Sequence, residues 1–117
     1  MNRDDMKART KAFALPVIHL VEELPKTRTG DVIGKQLLRA ATSVGANYRA
    51  ACRGKSKADF IAKLGTVEEE ADECVYWLEL IVEAELLKHE RIICLIREAN
   101  EITAIIVSSI RTARSQK

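Results

Sequence analysis

Between Lys57 and Leu87, Phe60, Leu64, Val67, Ala71, Cys74, Leu78 and Ile81 follow one another at steps of four and three. On an α-helix those steps gather the side chains onto one face, whereas on a strand they would scatter over both. At ~1.5 Å per residue, a helix over this stretch spans about 45 Å. A single apolar stripe of that length leaves water only by packing against partners of comparable length. The rest of the chain supplies them.

Three further stretches repeat the pattern. From about Asp4 to Leu24, the inner residues are Phe13, Val17, Leu20, Val21 and Leu24. Pro16 is expected to kink this helix or divide it near Leu15, because proline removes a hydrogen bond and clashes with the preceding turn. From about Asp31 to Arg53, Ile33, Leu37, Ala40, Ala41, Val44, Tyr48 and Ala51 form the stripe. From about Glu90 to Ala113, it is Ile92, Leu95, Ile96, Ala99, Ile102, Ile106 and Ile110. The separators are "PKTRTGD" (25–31), "RGKSKAD" (53–59) and a short turn near Lys88–His89. In the second, Gly54 reads as a helix stop, and Ser56 with Asp59 as a capping box that uses Asp in place of Glu or Gln.

Short links between helices of similar length set consecutive helices antiparallel. The expected fold is all-α: an antiparallel up-down-up-down four-helix bundle, one domain over residues 1–117. Hydrophobic residues at 47%, charged residues at 31%, five glycines and two prolines argue against a sandwich, a barrel or a disordered chain. Ile93, Ala104, Ile105 and Val107 lie off the main stripe of the fourth helix, as do Trp77 and Leu80 on the third. Such surface marks either an oligomer interface or a wide core face.

The net charge of +2 implies no partner by itself, but the charges are sorted along the chain. From Lys35 to Lys63, seven of eight charged residues are basic, with Asp59 the exception. Lys35, Arg39, Arg49 and Arg53 share an outward stripe with the small residues Thr42 and Ala46, and Lys55 and Lys57 follow. From Glu68 to Glu85 every charged residue is acidic. The two helices can attract each other within one subunit, or the acidic helix of one subunit can meet the basic helix of the next. Alternatively, the basic stripe stays open and binds the phosphate backbone of RNA or DNA through Lys35, Arg39, Arg49, Arg53, Lys55 and Lys57. The competing reading is a structural or adaptor protein whose stripe is consumed between subunits and whose target is another protein.

Catalytic chemistry finds little support. The run "EEEADE" (68–73) invites a di-iron site, but such sites need Glu-x-x-His pairs, and neither His19 nor His89 lies three residues after a Glu. Consecutive carboxylates also fan around a helix. Ser43, Ser56, Ser108 and Ser109 sit in no nucleophile elbow, and no P-loop or dinucleotide fingerprint is present. No catalytic residue, metal or cofactor is expected, and the chain is not read as an enzyme. Cys52, Cys74 and Cys94 have no ligand or redox spacing and are read as small buried hydrophobes in a reducing cytoplasm. The charged stretch "MNRDDMKART" suggests no secretory signal, and no apolar window reaches the ~20 residues that span a bilayer.

The stretch "QLLRAATSVGANYRA" (36–50) sets the sharpest question, since it puts a glycine and an amide inside a helix. Gly45 costs about 1 kcal/mol against alanine in a helix, which close packing would offset. Asn47 is expected to hydrogen-bond a neighbouring helix or subunit. Gln36, Asn47, Tyr48 and Trp77 are the candidate interface or structural residues.

From this stretch onward the chain resembles the 23S rRNA intervening sequence protein family, also called four helix bundle proteins. The resemblance rests on Gln36-Leu37-x-Arg39-Ala40-Ala41, Ser43-Val44-x-x-Asn47, Arg53, Ser56, Asp59-Phe60, Leu64 and the acidic segment before Leu78, and it covers about residues 12–110. It implies a left-handed bundle that assembles as a homopentamer. The chain is also similar to the accessory variability protein of diversity-generating retroelements, which implies a basic nucleic-acid-binding surface and a protein partner such as a reverse transcriptase. One departure stands out. Where many members read Asn-Ile-Ala-Glu-Gly, this chain has Asn47-Tyr48-Arg49-Ala50-Ala51, which removes a glutamate and adds an arginine.

Overall fold

The computed structural model describes residues 1–116 as four helices: α1 (Arg3–Glu22), α2 (Arg28–Cys52), α3 (Lys57–Glu83) and α4 (His89–Ser115). They lie along one axis in a body of 50 × 22 × 20 Å. Consecutive helices pack as antiparallel neighbours, giving the up-down-up-down bundle that the stripes require. α1 and α4 touch least. Across that seam Arg9 donates from Nε and Nη2 to both oxygens of Glu98, at 2.8 and 2.7 Å.

The helix starts are set by side chains that satisfy free backbone amides. Asn2 accepts from the amide of Asp5 at 2.8 Å, and Asp5 accepts in return from the amide of Asn2. Thr27 caps α2 by accepting from Gly30 at 3.1 Å, three residues earlier than the sequence suggests. Ser56 caps α3 through the Asp59 amide at 3.0 Å. The Asp59 carboxylate does not close the expected box onto Ser56. It accepts instead from the amide of Lys55 at 3.2 Å and from the Lys63 ammonium. Pro16 leaves α1 undivided; it sits on the exposed side of the helix.

The end of α3 differs from the sequence reading, and the stop at Gly54 falls where expected but by other means. α3 stops at Glu83, not Leu87, because Ala84, Glu85 and Leu86 turn the chain. The Leu86 amide donates to the Ile81 carbonyl and the Glu85 amide to Val82, a Schellman arrangement with Glu85 left-handed at φ 57°. No glycine announces this turn, so the sequence gives no stop there. Gly54, by contrast, has no positive φ. Its missing side chain serves contact: a methyl there would lie 3.0 Å from the Ala51 carbonyl and 3.2 Å from the Phe60 amide nitrogen.

The inner stripes form one core. Val17, Leu20, Leu37, Val44, Leu64, Val67, Leu78, Ile81, Ile92, Ile102 and Ile106 are almost wholly buried. Met6 and Thr10 join them from α1, beyond the expected stripe, and Thr10 satisfies its hydroxyl by donating to the Met6 carbonyl at 2.7 Å. Off the stripes, Trp77 and Ile105 pack against the core's margin, so part of the extra apolar surface is a wide core face. Of the cysteines only Cys74 is buried; Cys52 is intermediate and Cys94 exposed, so the expectation of three buried thiols fails on α4's outer side.

Glycines separate close packing from indifference. A methyl on Gly45 would sit 3.2 Å from the Thr10 carbonyl and 3.3 Å from Lys11 Cα, both α1 backbone, so α1 could make room only by moving as a whole. Gly65 on α3 has nothing within 4 Å. Gly65→Ala is expected to stabilise the fold by up to about 1 kcal/mol from helix propensity, while Gly45→Ala lowers stability in spite of the same gain. Urea melts of the two variants check the opposite signs. Glu85→Gly, which relieves a left-handed residue, should raise stability by about 1 kcal/mol in the same assay.

Candidate nucleic-acid interface

Folding turns the linear sorting of charge into an axial one. Residues 1–15, 40–69 and 103–116, which form the end holding the α2–α3 turn, carry eleven Lys and Arg against five Asp and Glu. Residues 16–39 and 70–102 carry seven against twelve. The bundle therefore has a basic end and an acidic end, because α2 ends basic, α3 begins basic, and antiparallel packing sets those segments side by side.

Along the α2 stripe the cations have different fates. Arg39 reaches across to α3, donating from Nη1 to Glu70 at 3.2 Å and from Nη2 to Glu73. Glu73 also accepts from Trp77 Nε1 at 3.1 Å, and the Trp77 ring meets Tyr76 edge-on with centroids 5.0 Å apart. The hydrogen bond to Glu73, followed by the charge of Glu70, raises the Arg39 guanidinium further above its usual range. At Arg39, attraction within one subunit holds.

Lys35, Arg49, Arg53, Lys55 and Lys57 are exposed and form no ion pair among the described residues. Lys57 instead donates to the backbone carbonyl of Gln116, which ties the start of α3 to the end of α4. Beside it a recess of about 310 Å³ is bounded by Arg3, Cys52, Lys55, Lys57 and Phe60. The Arg3 guanidinium lies 4.5 Å from the centre of the Phe60 ring, a cation–π contact that fixes a further positive charge at this end. The only nearby carboxylate paired in this segment, Asp59, is held below its usual pKa by Lys63 and the Lys55 amide.

The candidate interface residues divide as well. Gln36 is exposed. Asn47 donates from Nδ2 to the Ser43 carbonyl at 2.9 Å, a bond within its own helix and not to a neighbour, because its half-buried amide finds that carbonyl one turn back. Tyr48 is buried, and burial beside Cys52 pushes its hydroxyl up to about 12. Arg3, Lys7 and Lys11 escape the sequence reading, which placed no site on α1. Their spacing of four was the available signal. Among the described residues no cluster of three or more His, Cys, Asp or Glu side chains is placed to hold a metal. No helix there is long and apolar enough to cross a membrane.

The sequence profile of the 23S rRNA-intervening sequence protein family matches residues 4–108. The chain is also similar to a crystal structure of a protein with unknown function from the S23 ribosomal protein family of Bacteroides thetaiotaomicron. The two are 35% identical, with a TM-score of 0.87 over 95% of this chain and 99% of that one. No curated protein matches.

The thiols report on this geometry. Cys74 lies under Glu70 and Glu73, and burial together with those carboxylates pushes its pKa up to about 12, so it stays a thiol at neutral pH. With a disulfide reagent under native conditions, Cys94 is expected to react at once, and Cys74 only after denaturant is added. Peptide mapping of the labelled sites checks the order.

Proposed function

The chain belongs to the 23S rRNA-intervening sequence protein family, and from that premise we propose a non-catalytic four-helix bundle that binds the phosphate backbone of RNA or DNA at its basic end. The observation that carries this reading is the contrast along α2 and the start of α3. Arg39 has its charge met by Glu70 and Glu73, whereas Arg49, Arg53, Lys55 and Lys57 are exposed and have no carboxylate partner among the described residues. Cations held close together at the α2–α3 turn repel one another, and a polyanion relieves that repulsion while releasing its own counterions. Lys35 lies on the other side of Arg39, toward the acidic end, and contributes least.

Self-assembly as a homopentamer, which the family resemblance suggests, would repeat this basic surface around a ring. The partly exposed apolar residues Leu80, Ile93 and Val107 and the exposed Leu15, Ile18 and Val32 favour contact with a second protein surface, either another copy or a partner such as a reverse transcriptase. That contact and the nucleic-acid surface use different residues, so both can operate in one assembly.

The test compares two charge reversals by gel mobility shift. Arg53→Glu, Lys55→Glu and Lys57→Glu together should abolish binding of labelled RNA and DNA at low ionic strength. Arg39→Glu, which gathers three carboxylates around one place, should lower the melting temperature more than it changes binding. Unchanged nucleic-acid mobility with micromolar wild-type protein at low salt refutes the reading.

A further inference from the structure

The α1–α2 face carries a trough of about 590 Å³, where Thr42, Ala46 and Arg49 of the α2 stripe meet α1 residues that the sequence reading left out. Ala14, Thr42, Gly45 and Ala46 contribute nothing longer than a threonine side chain, and Lys7, Lys11 and Arg49 stand beside them. Gly45 forms part of the trough wall, where the two helices close together. Its Cα faces the α1 backbone at Thr10 and Lys11 closely enough that even a methyl would press on it. Lys7 and Lys11 are one helical turn apart, ~6 Å along the axis. Lys7 is 3.9 Å from Asp4, a carboxylate almost wholly in water, while Lys11 and Arg49 form no ion pair among the described residues.

We infer that this trough seats one phosphodiester strand, backbone inward and bases outward, an inference that rests on the phosphate-binding reading above. Three features select this occupant. The cations outnumber the one carboxylate in the lining three to one, so the occupant is anionic. The lining offers methyl groups and a glycine but no large apolar side chain, so an amphipathic helix would find no pocket for its anchors. It also holds no aromatic ring on which a base could stack, so the bases face solvent and the strand is held without regard to sequence. Arg49 lies one turn before Arg53, so the trough leads into Arg53, Lys55 and Lys57 at the basic end. Lys7 and Lys11 on α1 thereby become phosphate-binding residues.

Fluorescein-labelled oligouridylate and oligothymidylate are titrated with the full chain across a salt series, read by anisotropy. For Lys7→Gln/Lys11→Gln, the slope of log K against log salt should flatten by about 1.4, two strand contacts at ~0.7 each. Ala46→Leu fills the trough from an exposed position and leaves every charge in place. It should weaken binding with the slope unchanged, and thermal melts confirm that both variants fold. Comparing the two oligonucleotides shows whether the strand is RNA, DNA or either. If the wild type binds and the double variant keeps its slope while Arg53→Gln/Lys55→Gln/Lys57→Gln loses affinity, the trough inference is wrong and the basic-end reading stands. If the wild type binds neither oligonucleotide at low salt, both fall. Binding of a glutamate-rich helical peptide to the trough in place of the oligonucleotides overturns the inference as well.

Discussion

Four apolar stripes, each running the length of a helix of 20 to 27 residues, can leave water only against one another. Every other feature of this protein is arranged around that burial. The stripes have similar lengths and the links are short, so the helices align and the polar residues fall on the outside. All three cysteines are free, and Cys74, the one buried thiol, behaves as a small apolar residue. Close packing then sets the finer shape. Where α2 carries Gly45 and Gly34, α1 comes in against it; where α1 faces α4, the two stay further apart and a two-pronged Arg9–Glu98 pair bridges them.

The same alignment decides what the charges do. In sequence, the basic and acidic runs are neighbours, and one expects them to cancel. On the bundle they cancel only at the middle, where Arg39 meets Glu70 and Glu73 at the level at which the two runs overlap. Toward the α2–α3 turn, both chain segments are basic and nothing opposite them is acidic enough to match. The uncancelled charge collects at one end. A surface of this kind attracts polyanions by counterion release and without sequence preference.

The α3 heptads and the α2 and α4 stripes were legible because core burial is written directly in residue spacing. Leu64, Val67, Leu78, Ile92 and Ile106 are where the period puts them. Helix ends were less legible. The turn at Glu85 uses a left-handed glutamate held by two backbone hydrogen bonds, and neither is visible in residue type. Asn47 was expected to bond a neighbouring helix or subunit, yet within this chain its amide donates to a carbonyl one turn back on its own helix, which residue chemistry cannot distinguish from a partner across the seam. The candidate site was half legible. The cations of α2 and α3 were named, but Lys7 and Lys11 lie about forty residues from Arg49 in sequence, and only packing brings them alongside it, as it brings Arg3 to Phe60.

The sequence by itself determined that this chain is four amphipathic helices with one common core, because apolar period and breaker placement depend on local geometry alone. It also determined that basic residues outnumber acidic ones around the α2–α3 turn. The tertiary structure decided which of those cations are free. Coulomb attraction acts between side chains within a few ångströms, and whether a carboxylate lies within that reach depends on how far one helix slides along the next. Arg39 falls opposite Glu70 and Glu73, and Arg49 falls beside Lys7 and Lys11. That difference in position along α2 separates an arginine paired within the fold from one exposed beside other cations.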